Sequence, residues 1–60
     1  MYQKTVNYKW HMWKYVATRQ KNGQYKLTCR VYDYDGYYCA GLSYDESNLS
    51  QEDIYKIFGI

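Results

Sequence analysis

The sequence predicts an α+β domain, a three-stranded antiparallel β-meander with one short C-terminal α-helix packed on one face. Three observations predict it. Asn22-Gly23 and Asp35-Gly36 are hairpin-turn dipeptides, each flanked by β-forming residues. The stretches beside them alternate in polarity with the two-residue period of a half-buried strand. Residues 49–60 carry the start and stop signals of a helix.

Residues 1–60 read as a single small domain, with 1–11 as an extra strand or arm. A chain of this size buries only about 60% of its unfolded surface and needs a compensating device. Ten Tyr, two Trp and one Phe supply one, because each buried aromatic removes roughly 150–250 Å² from water. A homodimer is the other route.

The N-terminal arm alternates Val6, Tyr8, Trp10 and Met12 on one side, whereas Trp13 and Tyr15 belong to the other. That switch predicts a bulge or bend at Met12-Trp13. Strands follow over roughly 12–20, 24–34 and 37–44. If Lys21-Asn22-Gly23 forms a three-residue loop, Trp13, Tyr15 and Ala17 oppose Val31, Cys29 and Leu27. A two-residue turn would instead set Lys14 against Val31, so the pattern selects the longer loop. A two-residue Asp35-Gly36 turn then pairs Val31 with Ala40, Cys29 with Leu42 and Leu27 with Tyr44. The expected core face is Trp13, Tyr15, Ala17, Leu27, Cys29, Val31, Tyr38, Ala40, Leu42 and Tyr44.

The helix is punctuated at both ends. Ser50 is a natural N-cap, with Asp53 three residues on for a capping box and Leu49 with Ile54 at staple positions. Gly59 suits a left-handed C-cap, and Ile54, Ile57 and Phe58 form the apolar stripe that docks on the sheet.

Charge is divided along the chain. Lys4, Lys9, Lys14, Arg19, Lys21, Lys26 and Arg30 give residues 1–30 a charge of +7 with no acid. Asp33, Asp35, Asp45, Glu46, Glu52 and Asp53 against Lys56 give residues 31–60 a charge of −5. Either the two halves neutralise each other within the fold, or the basic half faces a polyanion. No apolar run approaches a membrane span and Met1-Tyr2-Gln3-Lys4-Thr5 lacks a signal-peptide core, so a cytoplasmic protein with no membrane partner is expected. Cys29 and Cys39 are then reduced thiols.

No catalytic, cofactor or metal signature stands out, so the chain is expected not to be an enzyme. His11 is the only histidine, and Cys39 has no positioned base and orienting group beside it. With Cys29 and Cys39 it makes at most three zinc ligands, without a close Cys pair. Asp33 and Asp35 flank a turn, where aspartate is ordinary turn chemistry.

The face opposite the core is the informative one. It is expected to present Met12, Lys14, Val16, Thr18, Lys26, Thr28, Arg30, Tyr32, Tyr34, Tyr37, Cys39, Gly41 and Ser43, with cations, hydroxyls and aromatics but no acid. Lys14, Lys26 and Arg30 suit phosphates, and Tyr32, Tyr34 and Tyr37 suit stacked bases, so nucleic acid is the leading partner. A host protein is the second, because Tyr and Arg are common binding hot spots. Plain covering of the sheet or self-association is the third.

Two resemblances extend this reading. Strand, Lys-Asn-Gly turn, long strand, Asp-Gly turn, strand and helix, over residues 13–58, resemble the arm-site-binding domain of tyrosine integrases. That resemblance implies a three-stranded sheet laid in a DNA groove. Over residues 25–59, Tyr25, Thr28, Asp33, Asp35, Gly36, Gly41-Leu42-Ser43, Leu49-Ser50 and Gly59 look like the small phage uracil-DNA glycosylase inhibitors. That resemblance implies a phage-encoded inhibitor that binds a host repair enzyme. Independently of it, an inhibitor's contact surface is expected on the acidic Asp45–Asp53 stretch with Tyr44 and Tyr55, or on the same tyrosine face. Both resemblances imply a phage or mobile-element origin.

Overall fold

Four strands form in the computed structural model, which describes all of residues 1–60: β1 (Tyr2–Tyr8), β2 (His11–Arg19), β3 (Tyr25–Asp33) and β4 (Tyr44–Leu49). Helix α1 (Gln51–Phe58) follows them. The sheet is antiparallel throughout in the order β1-β2-β3-β4. The expected class and helix are found, but the sheet has four strands rather than three.

The additional strand is the N-terminal arm. The predicted bend at Met12-Trp13 is absent, because a two-residue turn at Lys9-Trp10 makes the switch of face instead. Tyr8 pairs with His11 and Val6 with Trp13, which places Val6 and Tyr8 on the Trp13 face and leaves Met12 on the other. Lys9 (φ 47°) and Trp10 (φ 69°) both take the left-handed conformation of a primed hairpin turn.

The β2–β3 hairpin has the predicted register, with Trp13, Tyr15 and Ala17 opposite Val31, Cys29 and Leu27. Gly23 (φ 87°) closes the three-residue loop, and Gln20 N–H bonds the Gln24 carbonyl at 2.7 Å.

The next turn corrects the expectation. Asp33 N–H bonds the Tyr37 carbonyl at 3.0 Å and Gly36 N–H bonds the Asp33 carbonyl at 3.0 Å, so Tyr34-Asp35-Gly36 is a second three-residue loop of the same kind. The extra residue moves the ladder by one. Tyr38 now faces Tyr32, and Cys39 N–H bonds the Val31 carbonyl at 2.8 Å. Val31 therefore does not pair with Ala40. Beyond Cys39 the chain leaves the ladder and re-enters at Tyr44, opposite Cys29. The predicted strand 37–44 is mostly loop, and Cys29–Leu42 and Leu27–Tyr44 are not partners.

Ser43 repairs the gap that this excursion leaves. Its Oγ accepts from Val31 N–H at 3.0 Å and donates to the Cys39 carbonyl at 2.9 Å, standing in for a missing ladder bond. Ser43→Ala is expected to leave Val31 N–H unsatisfied and to cost about 1–3 kcal/mol. Urea unfolding monitored by Trp fluorescence measures it, and a loss near zero would show that the relay contributes nothing.

The core lies between α1 and one end of the sheet. Ile54 is fully buried against Ala17, Tyr25 and Leu27, and Tyr2, Tyr15, Leu49, Ile57 and Phe58 pack around them. The predicted caps are formed. Ser50 Oγ accepts from Asp53 N–H at 3.1 Å, the Asp53 carboxylate accepts from Ser50 N–H at 3.4 Å, and Gly59 is left-handed. Gln51 ties the helix down, accepting from Tyr25 OH at 3.4 Å and donating to Tyr2 OH at 3.2 Å. Lys4 Nζ bonds the Ile57 carbonyl at 3.2 Å, where a cation suits the negative end of the helix dipole.

Along the next row of the sheet, Tyr15 and Tyr44 flank the sealed thiol of Cys29. Burial is the main cause that pushes all three groups above their ordinary pKa values. Their neutral forms are thus favoured by folding. The contribution is intact below about pH 8.5 for the thiol and about pH 10 for the phenols. It is lost as pH climbs through the raised folded values. The urea midpoint is expected to fall from about pH 8.5 upward; a flat profile to pH 11 would contradict this.

Candidate functional site

The face opposite α1 is covered by no other element. Strand parity places Gln3, Thr5 and Asn7 of β1, Met12, Lys14, Val16 and Thr18 of β2, and Lys26, Thr28, Arg30 and Tyr32 of β3 on it. Because β4 rather than residues 37–44 pairs beside β3, Asp45 stands opposite Thr28. The face therefore carries one acid, where none was expected.

Its centre is electrostatically unusual. Lys14 and Arg30 are direct cross-strand partners, and like charges in that arrangement oppose pairing. Each cation turns away to a different partner. Lys14 Nζ lies 5.1 Å from the centroid of the Tyr32 ring. Arg30 reaches Asp45 at 2.8 Å, an ion pair with both side chains substantially exposed. The Arg30 hydrogen bond, with Lys26 adding to it, holds the Asp45 carboxyl below its usual range. Tyr32 and Tyr38 pack with ring centroids 5.5 Å apart and an interplanar angle of 56°. Tyr38 keeps an open ring, being 51% exposed.

Of the six residues singled out from the sequence, Lys14, Lys26, Arg30 and Tyr32 share this face. Tyr34 sits in the turn beyond it, and Tyr37 stands opposite Asp33 with the other parity. Tyr38, expected in the core, takes the place foreseen for Tyr37. The signal for this was available: Asp33-Tyr34-Asp35-Gly36 ends in Gly as Lys21-Asn22-Gly23 does. The Asp33 carboxylate serves the turn itself, accepting from Asp35 N–H at 3.0 Å and Tyr37 N–H at 2.9 Å.

The acidic Asp45–Asp53 stretch is partly engaged internally, through Asp45 with Arg30 and Asp53 with the helix cap. Cys29 and Cys39 are free thiols. No helix is long and apolar enough to cross a membrane. No protein-family model, curated protein or solved structure matches the chain.

Asp45 competes with any anion for Arg30. Asp45→Asn is expected to leave stability within about 0.5 kcal/mol, since exposed ion pairs contribute little. The same change is expected to strengthen polyanion binding several-fold and to steepen its salt dependence by roughly one contact. Anisotropy titrations of the two proteins at several salt concentrations check this, and equal affinities would contradict it.

Proposed function

We propose that the protein is a non-enzymatic binding module that takes single-stranded nucleic acid on the sheet face opposite α1. The observation that carries the reading is Lys14 set directly across from Arg30, on a face that nothing covers. A like-charge pair is a local cost, met here by the Tyr32 ring and by Asp45, and phosphates between the two cations would relieve it further. Lys26 extends the basic track, and the exposed Tyr38 ring beside Tyr32 offers a stacking plane. Base stacking on such a ring is indifferent to sequence and needs bases that are not enclosed in a duplex.

Fluorescence anisotropy with labelled oligo-dT and oligo-rU tests the proposal. Engagement of Lys14, Lys26 and Arg30 predicts a slope of about −2 in log affinity against log salt. No binding at low salt would overturn it. A host protein retained from lysate after nuclease treatment, with no oligonucleotide binding, would favour the inhibitor reading instead.

A further inference from the structure

The opposite side of the sheet is only half covered. Helix α1 has eight residues, about 12 Å of length, while β2 and β3 have nine residues each, roughly 30 Å. Beyond the helix, Val6, Tyr8, Trp13 and Tyr15 line an open apolar hollow of about 240 Å³. It lies against β1, one of the sheet's two outer strands. Because Tyr8 and His11 close their hairpin as a bonded pair, the antiparallel alternation turns the backbone N–H and C=O groups of Gln3, Thr5 and Asn7 outward.

The two edges of the sheet differ. β4 is irregular, with a register shift between its pairings to Tyr25 and Leu27 and a left-handed Asn48 (φ 60°). Asn48 is also held by Gln20, whose Oε1 accepts its N–H at 2.8 Å. Such distortion blunts an edge against added strands. β1 pairs with β2 over all seven residues without a shift. Its edge is regulated by charge instead: Lys4 lies on the hollow side of the sheet, its Nζ held at the Ile57 carbonyl, Lys9 lies at the turn with Nζ 5.3 Å from the Tyr8 ring centroid, and residues 1–30 hold no acid.

We propose that β1 and its hollow receive an extended acidic segment of a partner protein, added as a fifth strand with one large apolar side chain in the hollow. Main-chain bonds to Gln3, Thr5 and Asn7 supply affinity, and the hollow supplies side-chain choice. Lys4 and Lys9 select acidic strands and repel basic ones. The same charges disfavour a second copy joined β1 to β1, which would bring two basic halves together. This surface is separate from the helix-free face and stands whether or not that face takes nucleic acid.

The test uses a seven-residue end-capped peptide with a central phenylalanine, glutamate two residues away on either side so that all three fall on the hollow side, and threonine at the alternate positions, at up to millimolar concentration. Amide hydrogen exchange by NMR is the readout, alongside Trp fluorescence. Added protection is expected at Gln3, Thr5 and Asn7, with a shift of the Trp13 indole signal. The peptide with lysine for glutamate is expected to bind at least tenfold more weakly, and N-methylation of alternate peptide amides to abolish binding. Thr5→Pro removes an outward N–H without breaking a ladder bond, and is expected to lose the peptide while keeping its melting transition. N-methylation of the peptide decides the matter if that variant is unfolded. Three results would overturn the proposal: no protection of β1, equal binding of the lysine peptide, or protection of both β1 and β4 without peptide as protein concentration rises. The last would assign the edge to a second copy.

Discussion

Ile54→Ala is expected to lower the melting temperature by roughly 10–30 °C and to leave much of the protein unfolded at 37 °C. Ile54 is completely buried and is the only residue of α1 that is. It contacts the cluster that joins β2 and β3, through Ala17, Leu27 and Tyr25. Truncating such a residue costs about 2–5 kcal/mol. A domain of sixty residues has only roughly 3–9 kcal/mol in total, and each kcal/mol moves the transition of so small a domain by about 4–8 °C. The helix has two turns and does not persist alone in water, so losing its anchor loses the helix as well. Tyr55→Ala, on the exposed side of the same helix, is expected to cost under about 1 kcal/mol. Thermal melts by circular dichroism compare the two; similar midpoints would mean that α1 is not what seals the sheet.

The second large effect concerns binding. Replacing both Lys14 and Lys26 by Glu is expected to weaken oligonucleotide binding by at least 100-fold at low salt, with the fold intact. If the proposed reading holds, two phosphate contacts become two repulsions, and the surviving Arg30 is already shared with Asp45. Lys14→Glu also turns a like-charge cross-strand pair with Arg30 into an attractive one. That gain offsets the lost contact with the Tyr32 ring, and Lys26→Glu adds only an exposed repulsion beside Asp45, so stability is expected to stay within about 1 kcal/mol of the parent. Affinity and stability are thus expected to separate. A double variant that binds as well as the parent would remove the face from consideration.

What could be read from the sequence follows the range of the interactions that decide it. The caps of α1 depend on residues three to five apart, and Ser50, Asp53 and Gly59 announce them. The β2–β3 register follows from matching apolar faces across a turn with Gly in it. The Lys9-Trp10 turn carries no such mark, since two residues with no preference for positive φ adopt it. β4 was hidden for a related reason. Tyr44-Asp45-Glu46-Ser47-Asn48-Leu49 is a charged outer strand with a bulge, so it lacks the alternation that reveals a strand, whereas Tyr37–Tyr44 alternates and is mostly loop. On the candidate site, Lys14, Lys26, Arg30 and Tyr32 were legible because their strands were. Tyr38 was not, because its place depends on the path after Asp33, and the same path brings Asp45 to the face.

The bond from Lys4 to the Ile57 carbonyl spans fifty-three positions of sequence, and Tyr2 stacks near Phe58 at 5.7 Å. The first strand and the last helix therefore complete one another, and neither has its full set of neighbours until the other is in place. Loop closure over so long a separation is entropically the most demanding contact in the molecule. The compact β2–β3 hairpin is assembled from near neighbours, so the join of β1 to α1 is expected to come later in folding. Until that join is made the apolar side of the sheet is left bare, so variants that weaken the stretch ending at Phe58 are expected to aggregate more readily.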